Sequence, residues 1–240
     1  MARSVDVLLA PPFTPEALRG AHVVAIDVLR ATTTIVTALA NGAAAVVPVL
    51  DPEDAVEVAK RLGRDRVLLC GERASVLIKG FDLDNSPASY PREVVEGKTL
   101  VFTTTNGTRA LRAGTTAASV RAGALINRAA VADALAREQG DIVLLCAGVH
   151  GRFALEDALG AGALVDALVA REPDLELHDG ARAAALLYRA VAPRLAEAVA
   201  SADHAHALAE LGFGIDIERC ATLDVLDTVP ILRDGLLVAA

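Results

Sequence analysis

Tryptophan is absent from the 240 residues, and five Phe and two Tyr supply all the aromatic rings. A chain that is 53% hydrophobic but only 3% aromatic must build its core from Ala, Val and Leu. Aliphatic cores of that kind suit helices packed on a parallel sheet. Basic residues are also scarce: 23 Lys and Arg stand against 31 Asp and Glu, a net charge of −8. That balance excludes a general nucleic-acid surface, which needs a basic patch. It leaves room for small anionic ligands, because a local site can oppose the global sign. Cys70, Cys146 and Cys220 are too few and too scattered for a disulfide framework or a zinc cluster. No stretch of about eighteen residues is apolar and free of charge, so no membrane span is expected. The opening MARSVDVLLAPPF has only a short apolar run before Pro11 and Pro12 and does not read as a secretion signal. A soluble cytoplasmic protein with no nucleic-acid or membrane partner is the expectation.

What is present is alternation. Strands are expected at 23–28, 44–49, 66–70, 99–104, 117–120 and 141–148. Helices are expected at 31–40, from Asp51-Pro52 to Gly63, from Asn106-Gly107-Thr108 to Gly114, from Asn127 to Gln139, and at 152–170, 178–200 and 202–211. Residues 79–91 have no period and many turn formers, which reads as a long loop. Arg233-Asp234-Gly235 marks a hairpin, expected to add antiparallel strands at an edge. This order implies a three-layer α/β/α fold with a mostly parallel or mixed sheet covered on both faces. One domain spans 1–240, with 200–240 as a small helix-plus-hairpin extension. An exposed edge hairpin invites pairing, so a homodimer is expected.

In such sheets ligands bind beyond the carboxyl ends of the strands. The first end gives Asp27, Arg30 and Thr32. A carboxylate there can bind a hard cation, and an arginine can grip phosphate or sulfonate through its fork. Asp27 and Thr32 can equally be simple helix caps. The second gives Glu72 and Arg73, followed by a loop with Asp84, Asn85 and Ser86. The third gives Thr104, Thr105, Asn106, Gly107 and Thr108, where hydroxyls and free backbone N–H groups suit an anion. The fourth gives Cys146 and Arg152, then Glu156 and Asp157 early in a helix. Cys146 and Arg152 have the spacing of a cysteine phosphatase loop, but a buried, inert cysteine fits as well. Adjacent acids point about 100° apart, so one of Glu156 and Asp157 is expected to face inward. Gly160 and Gly162 suggest close packing on a neighbour. Of the histidines only His150 is placed in a site loop; His22, His178, His204 and His206 read as structural or exposed.

Five segments together carry a resemblance: DVLRATTTIVTALANGA at 27–43, GER at 71–73, GFDLDNSP at 80–87, TTTNGTRAL at 103–111 and CAGVHGRFALEDALGAG at 146–162. In order and spacing they resemble the 2-phosphosulfolactate phosphatase family over roughly residues 5–235. One departure is Asp84, where the family is expected to carry glycine. The resemblance implies Mg²⁺-dependent hydrolysis of 2-phospho-3-sulfolactate to 3-sulfolactate, a step of coenzyme M biosynthesis in methanogens. The expected partner is thus a small phosphorylated and sulfonated anion. Mg²⁺ would be held by some of Asp27, Glu72, Glu156 and Asp157. Arg30, Arg73 and the 106–107 backbone would stabilise the transferring phosphoryl, with water or Asp27 as nucleophile. A Cys146 phosphoenzyme, another small phosphorylated acid as substrate, and a non-catalytic anion-binding protein are the alternatives.

Overall fold

The computed structural model describes residues 3–240. Its strands are β1 (Ser4–Leu8), β2 (His22–Ile26), β3 (Ala45–Pro48), β4 (Val67–Arg73), β5 (Val76–Leu77), β6 (Thr99–Thr103), β7 (Ser119–Gly123), β8 (Ile142–Cys146), β9 (Glu176–Leu177), β10 (Pro230–Arg233) and β11 (Leu236–Ala239). They form one mixed sheet in the order β5-β4-β6-β3-β11-β10-β7-β2-β8-β1-β9. The architecture is three-layer α/β/α, as the alternation implies.

Successive residues of β2 serve opposite layers, as the pleat requires. Val24 and Ile26 pack with Val5, Leu144, Leu159, Leu164 and Leu168 on one face. Val23 and Ala25 pack with Ile35, Leu39, Leu100, Phe102 and Leu111 on the other. Each such side chain contributes about 1.5–3 kcal/mol by leaving water. The helix Pro52–Leu62 shows why these segments become helices: Pro52 opens it, Glu53 and Asp54 meet its positive end, and Lys60 and Arg61 its negative end. Gly63, at φ 86°, stops it.

The C-terminal hairpin is not at an edge. Two parallel blocks, β9-β1-β8-β2-β7 and β4-β6-β3, each leave one strand edge unpaired. The hairpin fills the gap between them: β10 pairs β7 at Ile231 and Arg121, and β11 pairs β3 at Leu237 and Val46. Leu237 is fully buried as a result. The true edges, β5 and β9, are two residues each. The hairpin therefore offers no free edge to a second copy, which removes the ground for expecting a homodimer through it.

Smaller differences have local causes. β1 alternates between buried and half-buried positions and joins the sheet, although its short apolar run did not stand out. β7 runs to Gly123, past the expected end at 120, where Arg121 interrupts the apolar pattern; this buried arginine is held by Ser119 and Glu138. The expected 178–200 helix divides into Asp179–Val191 and Leu195–Ala200 around Pro193, which has no N–H to donate. The helix Gly214–Cys220 was not expected. No helix among the described residues is long and apolar enough to cross a membrane.

Gly160 and Gly162 do mark close packing within the helix Leu155–Arg171. A Cβ on Gly160 would stand 2.7 Å from Val28 Cγ2, and one on Gly162 only 2.0 Å from the Ala184 carbonyl oxygen. Backbone cannot yield as a side chain can. Gly162→Ala is therefore expected to lower stability by about 1–3 kcal/mol through overpacking, despite a gain of about 1 kcal/mol in helix propensity. Urea denaturation reads the difference, and unchanged stability would mean the two helices can move apart.

Candidate active site

The carboxyl ends of β2, β4, β6 and β8 meet around a cavity of about 360 Å³, lined among others by Asp27, Glu72, Thr105, Asn106 and Val149. Asp27 does cap a helix: its Oδ1 accepts the Ala31 N–H at 3.1 Å. The Thr32 hydroxyl donates to the Asp27 carbonyl at 2.8 Å and accepts the Asp27 N–H at 3.0 Å. Thr32 is thus spent on the turn, whereas Asp27 keeps Oδ2 free of protein donors. Gly107 permits this arrangement, since a Cβ there would lie 2.5 Å from Asp27 Oδ2.

Glu72 and Asp157 use both oxygens to tie turns together. Glu72 accepts the Thr105 N–H at 2.8 Å and the Ser75 N–H at 2.7 Å. Asp157 accepts the Val28 N–H at 2.8 Å and the Gly148 N–H at 2.9 Å. Glu156 and Asp157 are both buried, at 2% exposure each, because the start of their helix is enclosed on all sides. Only Glu156 turns toward His204, whose Nδ1 lies 3.3 Å from Glu156 Oε1. His204 lines the cavity from the helix Asp203–Glu210. The sequence places His150 alone among the histidines at the site, whereas His204 also lines the cavity; its two-residue spacing from His206 carries no signal, because its partner lies on a distant helix.

These groups perturb one another. Burial pushes the Asp27 carboxyl up to about 6; Glu72 and Glu156 add to this, while His204 and the Ala31 N–H oppose it. Burial, then the Asp27 and Glu156 charges, hold Asp157 well above the usual carboxylate range. Burial of the His204 ring works against its charge, but the Glu156 hydrogen bond and the Glu156 and Asp27 charges outweigh it and raise its pKa. Mutually perturbed carboxyl groups beside a cavity are a signature of functional sites.

Arg30 lines the same cavity, deeply buried, with Asp216 as its ion-pair partner at 2.8 Å. Arg73 points elsewhere: its guanidinium donates to the Glu72 and Leu50 carbonyls and to Thr103 Oγ1. Thr104 and Thr108 bond to each other across the turn, which leaves Thr105 and Asn106 to face the cavity. Asn85 also lines it, while Ser86 donates to Asp216 at 2.7 Å. The Asp84 carboxylate accepts the Ser86 N–H and does not line the cavity. His150 sits at the rim with φ 51°, its N–H on Asn106 Oδ1 at 3.3 Å. Arg152 is exposed on an adjoining cleft that also touches Glu156 and His204. Cys146 has no exposed surface. Burial, then Asp157 and Glu156, push its thiol well above its ordinary pKa. That is the reverse of an activated thiolate.

Asp27 lines the cavity with Oδ2 free of donors among the described residues, while Glu156 lines the adjoining cleft with Oε1 against His204. Among the described residues no three His, Cys, Asp or Glu side chains form a ready metal cage. Mg²⁺ does not need one: it commonly takes one or two carboxylates and fills its shell with water and substrate phosphate. Hard oxygen donors of which His204 balances only part of the charge are what such an ion fits.

A family model described as 2-phosphosulpholactate phosphatase matches residues 9–235. Proteins named probable 2-phosphosulfolactate phosphatase are similar along nearly their whole length. The one from Caldanaerobacter subterraneus subsp. tengcongensis is 45% identical over 91% of this chain and 90% of its own. That from Symbiobacterium thermophilum is 44% identical over 93% and 96%, and that from Thermotoga maritima 45% over 98% and 97%. With its five strand-end segments folded around one acidic cavity, the chain belongs to the 2-phosphosulpholactate phosphatase family.

Proposed function

We propose that this protein is a Mg²⁺-dependent phosphatase that hydrolyses 2-phospho-3-sulfolactate to 3-sulfolactate and phosphate. The observation that carries the reading is that Asp27, Glu72 and His204 line one cavity beyond the strand ends, with Glu156 paired to His204 where an adjoining cleft meets it. The relatives' names supply the substrate. Asp27 Oδ2 and Glu156 would hold the ion, with Glu72 behind them fixing the two turns. Bound there, Mg²⁺ would neutralise phosphate oxygens and lower the cost of charge in an in-line displacement.

The chain's own groups supply the rest. Asn106 and the adjoining backbone face the phosphoryl and orient it. Water attacks phosphorus as the bond to the C2 oxygen breaks and passes its proton to a neighbouring carboxylate; with Asp27 as nucleophile instead, water then hydrolyses the aspartyl phosphate to release phosphate and free Asp27. His204 holds a proton through its pairing with Glu156 and gives it to that departing oxygen. The buried walls keep bulk water from the charged groups, which strengthens each interaction.

Phosphate release from 2-phospho-3-sulfolactate tests this. Turnover is expected with Mg²⁺ and not with EDTA, and Asp27→Asn or Glu156→Gln should lower kcat by about a hundredfold or more. Cys146→Ser should retain most activity. Turnover that survives EDTA and is lost in Cys146→Ser would sink the metal reading.

Asp27 also yields a stability test. Its folded pKa, about 6, lies above the ordinary 3.8. Its contribution to stability is therefore complete below about pH 4 and is lost as pH rises through about 6, a change on the order of 3 kcal/mol. Urea denaturation of metal-free protein from about pH 4 to 7 should show the wild type losing stability relative to Asp27→Asn. Mg²⁺ should restore stability at the upper end in the wild type only. Parallel pH profiles in the two proteins would overturn the assignment of Asp27 as the buried, titrating acid.

A further inference from the structure

Arg30 is the largest of the fully buried side chains, and its environment is unusually specified. One terminal nitrogen donates to Asp216 Oδ2 at 2.8 Å. The other donates to the Ser75 carbonyl at 2.9 Å. The Phe213 ring stacks on its guanidinium, with Cζ 4.1 Å from the ring centroid. Asp216 is itself fixed, because Ser86 donates to its second oxygen at 2.7 Å. Such fixation leaves three N–H groups, at Nε and on the second positions of the two terminal nitrogens, with no acceptor among the described residues, on a side chain that lines the cavity. Asn85 stands in the same wall; its amide nitrogen likewise has no protein partner, and its Oδ1 is buried without one. The protein alone does not complete this wall.

Charge decides what completes it. The Arg30–Asp216 pair is neutral as a unit, and Asp216 would repel a dianionic phosphate. A sulfonate is a weakly basic monoanion with charge spread over three oxygens. It accepts hydrogen bonds from a guanidinium edge and an amide without needing a metal. The phosphate belongs with the acids and their cation at Asp27 and Glu156.

We propose that the free N–H groups of Arg30, together with Asn85, form the sulfonate subsite, and that Asp216 and Phe213 of the C-terminal segment are the positioning residues that hold Arg30 for it. This rests on the hydrolase reading for its substrate. Neither positioning residue lies in the five segments that carry the family resemblance.

The test compares 2-phospho-3-sulfolactate with 2-phospholactate, which lacks only the sulfonate, in wild type, Phe213→Leu, Ser86→Ala and Arg30→Lys. Phe213→Leu and Ser86→Ala remove one support of Arg30 each and spare the buried ion pair, so they should fold; thermal melts check that. The wild type should prefer the sulfonated substrate. Each variant should cut that kcat/KM preference by about tenfold, mainly through KM. Arg30→Lys should do so although it keeps the charge, because it loses the fork. Calorimetry with 3-sulfolactate and lactate supplies a readout independent of turnover. Equal losses on both substrates, with 3-sulfolactate binding unchanged, would reduce Asp216 and Phe213 to scaffold. A wild type that hydrolyses both without preference would also overturn the subsite. A wild type that turns over neither, yet binds 3-sulfolactate over lactate in a way the variants lose, would sink the hydrolase reading and keep the subsite.

Discussion

Buried carboxylates accepting backbone N–H groups are the interaction on which this site depends. Asp157 joins the turn after β2 to the turn after β8. Glu72 joins the turn after β4 to the turn after β6. Asp27 closes the helix that follows β2. A hydrogen bond to a charged group contributes roughly 1.5–3 kcal/mol, while burying an unpaired charge costs several. The bonds alone do not offset that cost when several acids share one dry volume. The raised Asp27 pKa expresses the shortfall. Under the proposed reading a divalent cation would offset it, so the raised Asp27 pKa and a preference for a cation would have one origin.

The sheet explains why these turns can be held so closely. Two parallel blocks would drift apart if their facing edges, β7 and β3, were left open. The hairpin β10–β11 closes them into one surface and places the four site turns on one rim. Glycine completes the approach where side chains would forbid it. Gly71, at φ 135°, lets β4 lie against β6, since a Cβ would meet the Thr103 carbonyl at 1.9 Å. Gly107 does the same beside Asp27. The final strands of the chain are thus structural prerequisites for a site whose strand-end turns all lie in its first two-thirds.

Local signals explain what the sequence reveals. The alternation of strands and helices is legible because each element carries its own period. Asp27, Glu72, Asn106 and Glu156 are legible because the strand-end rule needs only local structure. The hairpin itself is legible from Arg233-Asp234-Gly235, but its place is not: pairing depends on which edges elsewhere remain free. His204 is missed because its meaning lies in Glu156, 48 residues away. Asp216 is missed because its partner Arg30 is 186 residues away. Arg121, a charge inside a strand, cuts the expected end of β7 short because its partner Glu138 lies on a later segment.

The two long-range pairs divide the work of the cavity. His204 faces Glu156 on the side where Asp27 and the acids gather, and there the electrostatics favour cations and protons. Arg30 faces Asp216 on the side walled by Ser75 and Asn85, and there the free groups are donors. A substrate with a phosphate at one carbon and a sulfonate at the next has the same polarity. On the proposed reading its dianion would sit with the acids and a cation, and its monoanion would take directed hydrogen bonds. A simple phosphate would fill one half of such a cavity and leave the buried Arg30 edge without an acceptor. Desolvated donors left unpaired cost about 1–3 kcal/mol each, and a site that penalises the wrong ligand through its own unpaired groups discriminates more sharply than one that merely attracts the right one.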